Sequence, residues 1–267
     1  MITFPNAKIN LGLNIVNRRP DGYHNLETCF YPIAMCDALE FIPSDHTTLQ
    51  IQGLPILGDM ESNLVVRAFR MLQQGYHLPE IAMVLLKKIP MGAGLGGGSS
   101  DAAFMLKLLN THFQLHLSDS ELEIYASKLG ADCAFFIQNK PVIAQGIGNE
   151  FTPTNLSLKG KTLVLVTPHI YVSTAEAYAG VTCNHWAVPL SDVLQKPLSE
   201  WREFLFNDFE QSVFRTHPRL ATIKAMLYEQ GAVYAAMSGS GSTLYGIFDH
   251  HVDVNFPDDK VFVNLLQ

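Results

Sequence analysis

Apolar and polar positions alternate along much of the first third of the chain, a pattern that is typical of half-buried β-strands. The pattern is clearest in KINLGLNIV, residues 8–16, and residues 28–34, 37–42 and 48–52 could pair with this segment. Residues 81–89 are largely apolar and predict a further strand, which leads directly into a glycine-rich loop. The first third is therefore expected to be mainly β-structure.

Helix signals are interspersed with later strand signals. Apolar spacing or end signals predict helices at residues 63–75, 99–113, 118–129 and 220–230. In the third of these, Ser118 and Glu121 have the spacing of a capping box, and Gly130 follows as a stop. Further strands are predicted at residues 141–145, 162–167, 233–237 and 244–248.

The chain turns polar and loses its periodicity at residues 155–161. This change predicts two domains, residues 1–156 and 157–267, and a length of 267 residues accommodates two modest domains.

Composition and charge argue against several classes of protein. The net charge is −7 and no basic block is present, whereas nucleic-acid-binding proteins carry a clustered positive surface. The four cysteines form no CxxC pair, the histidines show no ligand spacing, and no apolar run is long enough to cross a membrane. We therefore expect a reduced, cytoplasmic protein with no signal peptide, zinc site, nucleic acid or membrane partner.

The segment PMGAGLGGGSSDAA, residues 90–103, predicts a phosphate site. Glycines let backbone N–H groups approach an anion closely, and the N-terminus of the helix that follows attracts negative charge. Ser99 and Ser100 could cap that helix, bind a phosphate or hold a metal. The loop is not a Walker A motif, because no Lys-Ser/Thr pair ends it. A tight turn is the alternative, and Asp101 would repel a phosphate if it pointed at the site.

Three other features are ambiguous by pattern alone. Asp132 could cap the next helix or act as a general base, and capping is favoured. Lys8 has the position of a solvated strand-edge lysine. Tyr23 and His24, after a PDG turn, could be a hairpin flank or a surface that stacks on a base and reads its edge.

A second loop of small residues, MSGSGST, occupies residues 237–243 between two predicted strands. It could be a β-turn that needs positive φ at Gly239 and Gly241, or a second wall beside phosphates. Two such loops in a chain that has no redox motif favour phosphoryl transfer.

These segments together resemble the GHMP kinases over residues 3 to about 248. PMGAGLGGGSSDAA is similar to their central phosphate motif and MSGSGST to their C-terminal glycine motif. PNAKINLGLNIVNRRPDGYHNLETCF, LGADCAFF and AQGIGNEFTP resemble one branch, whose members phosphorylate the 2-hydroxyl of a cytidylyl-linked methylerythritol in non-mevalonate isoprenoid synthesis.

The resemblance implies an α+β kinase of two domains, one ribosomal-protein-S5-like and one ferredoxin-like, with the active site in the cleft between them. It implies ATP as phosphoryl donor, Mg²⁺ as cofactor and a small-molecule substrate.

The resemblance also assigns roles to residues. Asp132 becomes the catalytic base, and Lys8 keeps that aspartate ionised and polarises the hydroxyl, which reverses the expectations from pattern alone. The ATP loop consists of Pro90, Met91, Gly92, Ala93, Gly94, Leu95, Gly96, Gly97, Gly98, Ser99 and Ser100, and Ser100 is the candidate metal contact. The implied substrate residues are Asn10, Tyr23, His24, Thr174, Tyr178, Gly239 and Ser240.

Two departures from the family pattern accompany the resemblance. Cys133-Ala134 replaces the usual Val-Pro after the aspartate, and Ala93 replaces an early glycine. The alternatives are a homoserine or mevalonate type of GHMP kinase, a non-catalytic nucleotide-binding protein on the same fold, and an RNA-binding module. The RPDGYH segment argues against the first, retention of Lys8 and Asp132 against the second, and the acidic charge against the third.

Overall fold

The structure is a computed structural model that describes residues 1–183 and 186–266. Two compact units form, and they interleave along the chain. The first unit contains residues 1–8, 35–91 and 96–140, and the second contains residues 9–34, 92–95 and the chain from residue 141 onward. The division into domains at residue 156 remains a prediction.

The strands are β1 (Ile2–Thr3), β2 (Asn6–Arg18), β3 (His24–Cys36), β4 (Ala38–Pro43), β5 (Thr48–Gly53), β6 (Ile81–Lys87), β7 (Val142–Gln145), β8 (Glu150–Pro153), β9 (Thr162–Thr167), β10 (Tyr234–Met237), β11 (Leu244–Phe248) and β12 (Lys260–Leu265). The helices are α1 (Leu64–Tyr76), α2 (Gly97–His112), α3 (Asp119–Ser127), α4 (Phe135–Gln138), α5 (Thr174–Ala179), α6 (Leu190–Val193), α7 (Trp201–Phe204), α8 (Phe209–Thr216) and α9 (Pro218–Glu229). A short 3-10 helix covers Leu198–Glu200.

The first unit contains a four-stranded sheet in the order β1-β4-β6-β5, in which β5 and β6 run parallel. Every second residue of β6 is buried, which gives the strand one face toward the core. Helices α1 and α2 pack against each other, and α3 and α4 pack against α2. Strand β6 ends three residues before the glycine loop and α2 begins within it, so this core fixes both ends of the loop.

The second unit contains a four-stranded antiparallel sheet in the order β10-β11-β9-β12, against which α9 packs. All residues of β10 and β11 are buried, so the loop that joins these two strands starts and ends in the core. The other sheet has the order β2-β3-β7-β8, and most of its residues belong to this unit.

Most predicted elements are present with small shifts at their ends. The capping box of Ser118 and Glu121 forms as expected. Helix α1 continues one residue past the predicted glycine stop at Gly75, and His77 adopts the left-handed conformation at its end. Strands β1, β8 and β12 and the short helices α4–α8 were not predicted. The short helices contain four to eight residues each, which is too few positions to show a helical period.

Within the part of the chain that the structure describes, no helix is both long and apolar enough to span a bilayer.

Candidate active site

Lys8 and Asp132 form an ion pair in the first unit. The Lys8 Nζ lies 3.4 Å from Asp132 Oδ2. Lys8 is only 3% exposed, so the expectation of a solvated strand-edge lysine is wrong. Burial lowers the pKa of the Lys8 ammonium, and the charge of Asp132 opposes that shift. A charge as buried as this needs a partner, and Asp132 supplies it.

Asp132 does not cap the helix that follows it, as the pattern alone had suggested. Helix α4 begins at Phe135, and its N-cap residue Ala134 makes no side-chain capping bond. The Asp132 side chain is 32% exposed. Its carboxylate is therefore open to solvent while it forms an ion pair with the buried Lys8 ammonium. A general base requires both this access and this fixed position.

The glycine loop runs beside Lys8. A Cβ placed on Gly96 would lie 3.2 Å from Lys8 Cε and 3.0 Å from Phe136 Cζ, so the backbone at Gly96 packs directly on these side chains. Gly96 also has φ of 70° and is the N-cap residue of α2. The start of α2 is therefore adjacent to the ion pair, within the first unit.

The start of helix α2 and the contacts of Ser99 and Ser100 differ from what the sequence predicts. Helix α2 starts at Gly97, two residues earlier than predicted, and no side chain caps it. Ser99 instead interacts with the Cys133 thiol, whose pKa is raised to about 11 by burial. The Ser100 hydroxyl is fully buried and has no hydrogen-bond partner among the described residues. An unsatisfied buried hydroxyl is costly, which makes Ser100 a candidate ligand contact.

The two glycine loops touch within the second unit. The Ser238 hydroxyl donates to the Gly94 carbonyl at 2.8 Å, and the Thr243 N–H donates to the Ala93 carbonyl at 3.3 Å. Gly94 has φ of 77°, and a Cβ there would collide with the backbone carbonyl of Ser238. The methyl group of Ala93, by contrast, is accommodated.

Asn207 holds the second glycine loop in place. Its Nδ2 donates to the carbonyls of Met237 and Gly239, both at 2.8 Å, and its Oδ1 accepts from the Phe209 N–H. Asn207 is only 4% exposed. No sequence signal pointed to this residue, because the two carbonyls that accept from its amide lie 30 and 32 residues away.

Asn10 is buried next to the second loop. Its backbone N–H donates to Ser238 Oγ at 3.2 Å, and its Nδ2 donates to Thr28 Oγ1 at 3.0 Å. A Cβ on Gly239 would lie 3.2 Å from Asn10 Oδ1. Asn10 and Gly239, which the family resemblance implies as substrate residues, are therefore neighbours, while Ser240 is half-buried in the same turn.

Two of the three predicted aromatic residues, His24 and Tyr178, form a cluster with Phe209 in the second unit. The rings of His24 and Tyr178 stack with centroids 4.9 Å apart, and Phe209 meets the edge of Tyr178. No third ring fits between His24 and Tyr178 at this separation. Tyr23 is 63% exposed and offers an open ring face, and Thr174 is exposed at the start of α5.

An apolar cavity of about 340 Å³ lies in the first unit beside the start of α2. Gly98, Met91 and Leu64 contribute to its wall together with side chains of β5 and the segment before α1. Its further lining residues are Leu49, Ile51, Ile56, Leu57, Gly58, Asp59, Met60, Ser62, Asn63 and Asp101. Sequence analysis missed this cavity, because β5 and α1 are brought to the loop only by folding.

Among the described residues, no group of three or more His, Cys, Asp or Glu side chains could hold a metal ion. The Ser100 hydroxyl and the exposed part of the Asp132 carboxylate are oxygen donors near the loop. This donor set fits Mg²⁺ held mainly by phosphate oxygens and water rather than by a protein cage.

Family models match two segments of the chain. The model described as GHMP kinases N terminal domain matches residues 63–140, and the model described as GHMP kinases C terminal matches residues 190–256. Together they cover more than half of the sequence.

Individual proteins are similar to this chain over almost its whole length. A Bacteroides thetaiotaomicron protein named 4-diphosphocytidyl-2-C-methyl-D-erythritol kinase is 57% identical over 253 residues, covering 93% of this chain and 92% of its own length. A Bacteroides fragilis protein of the same name is 56% identical over 265 residues, covering 98% and 94%.

Solved structures show the same fold. A crystal structure of 4-(cytidine 5'-diphospho)-2C-methyl-D-erythritol kinase matches with a TM-score of 0.80 and 31% identity, covering 94% of this chain and 91% of that one. Methanococcus jannaschii mevalonate kinase matches with a TM-score of 0.71 but 13% identity, covering 100% and 98%, and thus shares the fold alone. From its two family domains and its relatives of more than 50% identity, the chain belongs to the GHMP kinase family.

Proposed function

We propose that this protein transfers the γ-phosphoryl group of ATP to the 2-hydroxyl of 4-diphosphocytidyl-2-C-methyl-D-erythritol, giving the 2-phosphate and ADP. The observation that carries the proposal is the Lys8–Asp132 pair packed against Gly96 of the glycine loop. This pair places the partly exposed Asp132 carboxylate and the buried Lys8 ammonium beside a loop that is suited to bind phosphates. Relatives at 50–57% identity with this substrate in their name support the choice of acceptor.

Asp132 is the proposed general base. Its carboxylate takes the proton of the 2-hydroxyl as the oxygen attacks the γ-phosphorus, and the bond from that phosphorus to the β–γ bridging oxygen breaks to release ADP. Lys8 holds the carboxylate in place and, as a cation, stabilises the negative charge that develops on the attacking oxygen.

The glycine loop is the proposed site of the ATP phosphates. Residues 91–99 offer backbone N–H groups and the N-terminus of α2 to the anion. The unsatisfied Ser100 hydroxyl is a further contact. We assign the adenine ring to the apolar cavity beside Gly98 and Met91, because a volume of about 340 Å³ accommodates a purine next to the phosphate loop.

The cytosine is assigned to the aromatic cluster. It stacks on the exposed Tyr23 ring, while His24, held by Tyr178, presents a ring nitrogen to the base edge. Asn10, Gly239 and Ser240 line the substrate on the side of the second glycine loop, and Thr174 is a further contact.

Mg²⁺ is proposed as the cofactor, with Ser100 as its protein contact, and when bound it neutralises charge on the β- and γ-phosphates. The need for ATP agrees with the expected cytoplasmic location.

A homoserine or mevalonate kinase activity is the alternative. The structural matches of that kind are at 13–20% identity and share the fold only. Neither homoserine nor mevalonate contains a nucleobase, so neither gives Tyr23 and His24 a role.

The test is ADP release with ATP, Mg²⁺ and 4-diphosphocytidyl-2-C-methyl-D-erythritol, with mevalonate and homoserine in parallel. Turnover with the cytidylyl substrate alone is expected. Turnover with only mevalonate or only homoserine would support kinase activity and refute the proposed substrate. Nucleotide binding without turnover on any of them would favour a regulatory protein.

A further inference from the structure

Tyr171 lies against the glycine loop although most of its side chain is open to solvent. A Cβ placed on Gly92 would lie 2.9 Å from Tyr171 Cε2 and 3.5 Å from Tyr171 Cδ2, so one edge of the ring meets the loop backbone. Gly92 has φ of 60°, a conformation that favours glycine, and both residues belong to the second unit. Tyr171 is nevertheless 73% exposed. The ring therefore contacts the loop without being part of the core.

The backbone on both sides of Tyr171 is anchored, which fixes the position of the ring. The Ile170 carbonyl accepts a hydrogen bond at 2.5 Å from the hydroxyl of Ser242, a residue of the second glycine loop. Ile170 also packs against the hydrophobic core of the second unit, and Val172 is a member of that core and only 2% exposed. These two neighbours point inward, so the intervening tyrosine points outward. Its position is thus set before any ligand binds.

The chemistry of the tyrosine side chain suits a phosphate at this loop. A phenol hydroxyl donates a hydrogen bond, and bonds from O–H groups to anionic oxygens are short and strong. A tyrosine has only two side-chain torsions, so little entropy is lost when it makes such a bond. An exposed tyrosine held on a glycine loop can therefore supply a donor in addition to the backbone N–H groups.

We propose that Tyr171 is a nucleotide-binding residue, whose hydroxyl donates a hydrogen bond to a phosphate oxygen of ATP at the Gly92 end of the loop. The proposal rests on the proposed function, since it requires nucleotide phosphates at this loop. Sequence analysis did not find Tyr171, because it lies outside both glycine-rich segments and only folding brings it to Gly92.

The diphosphate of the acceptor is the other phosphate that Tyr171 could contact. Thr174, a proposed substrate contact, begins α5 shortly after Tyr171. The phosphates of ATP are favoured, because the tyrosine ring contacts the loop itself at Gly92.

Tyr171→Phe removes only the hydroxyl, and this variant should keep the thermal midpoint of the wild type because the residue is exposed. The measurement is isothermal titration calorimetry of the full chain with Mg²⁺ and the ATP analogue AMPPNP. The Kd for AMPPNP should rise about five- to thirtyfold, as expected for a lost hydrogen bond to a charged group, while that for adenosine should change by less than about twofold. An unchanged Kd for AMPPNP, or an equal rise for both ligands, would overturn the phosphate contact.

Steady-state kinetics distinguishes the two sources of phosphate. In Tyr171→Phe the KM for ATP should rise about five- to thirtyfold, while the KM for the cytidylyl substrate changes by less than about twofold. A rise in the KM for the cytidylyl substrate alone would overturn the assignment to ATP. Wild-type protein that binds AMPPNP without turnover would reject the proposed function and leave the calorimetric test in force. Wild-type protein that does not bind AMPPNP would reject the nucleotide site, and this proposal with it.

Tyr76→Phe is the matched control, because it removes the hydroxyl of another tyrosine that is 37% exposed. Tyr76 ends α1, about 18 Å along that helix from Leu64 at the wall of the proposed adenine cavity. The Kd of this variant for AMPPNP should equal that of the wild type. Equal losses of affinity in Tyr76→Phe and Tyr171→Phe would contradict a specific role of Tyr171.

A double-mutant cycle tests whether the ring lies on the loop. Gly92→Ala adds a methyl group directly against Tyr171, whereas in Tyr171→Ala the ring is gone and only the strained φ remains. Gly92→Ala should therefore raise the Kd for AMPPNP by a factor at least about three times larger in the wild type than in Tyr171→Ala. Equal factors in the two backgrounds would show that the ring does not lie on Gly92 and would overturn the proposal.

Discussion

Replacing Gly94 by alanine should separate the two glycine loops. Gly94 has φ of 77°, a region that L-residues avoid, and the new Cβ would point into the backbone of Ser238, with the carbonyl carbon 2.8 Å away. Backbone cannot rotate away as a side chain can. The loop must therefore move, and it loses the hydrogen bond from the Ser238 hydroxyl to the Gly94 carbonyl.

The expected cost is the sum of three effects. The left-handed conformation costs about 1 to 2 kcal/mol for alanine, overpacking about 1 to 3 kcal/mol, and the lost hydrogen bond about 1 kcal/mol. Because these effects partly relieve one another as the loop shifts, we expect about 3 to 5 kcal/mol. For a chain of this size the thermal midpoint should fall by about 6 to 20 °C.

Gly98→Ala is the matched control. Gly98 lies in the same loop at the start of α2, has no positive φ, and its new Cβ would meet its nearest neighbours at 3.8 and 3.9 Å. The same methyl group there should leave the thermal midpoint unchanged or raise it slightly.

The assay is differential scanning calorimetry of both variants, followed by the KM for ATP. Gly94→Ala should lose stability and raise the KM for ATP by more than about tenfold, because the phosphate loop is displaced. Equal midpoints for the two variants would refute the reasoning, since they would show that the contact between the loops does not constrain Gly94.

Three further predictions concern the site. Asp132→Asn should lower kcat more than about tenfold while ATP still binds, and a smaller loss would exclude Asp132 as the base. Tyr23→Ala should raise the KM for the cytidylyl substrate far more than that for ATP, and equal effects would remove Tyr23 from base stacking. Iodoacetamide at pH 7.5 should modify the exposed Cys183 and spare Cys29 and Cys133, whose pKa values burial raises to about 12 and about 11, and rapid labelling of Cys133 detected by mass spectrometry would contradict this.

Features that follow from local rules could be predicted from the amino-acid sequence. Alternation predicted β2, a largely apolar run predicted β6, the capping box predicted the start of α3, and glycine density predicted the phosphate loop. Each of these signals depends on residues within a few positions of one another. Long motifs also indicated the family, because many of their residues match the family pattern at fixed spacing. Pattern alone assigned Lys8 and Asp132 to solvent and to a helix cap, and only the family resemblance reversed this.

Tertiary structure decided the features that depend on distant partners. Lys8 is a buried cation because folding brings Asp132, 124 positions away, to its ammonium. Gly94 must be glycine because Ser238 approaches it across 144 positions, and Asp101 faces Lys87 rather than the phosphate loop. Neither burial nor approach between remote backbones has a local signature, since both are set by how the elements pack. Sequence therefore fixes which residues can form a site, and packing decides which charges are buried and how they are paired.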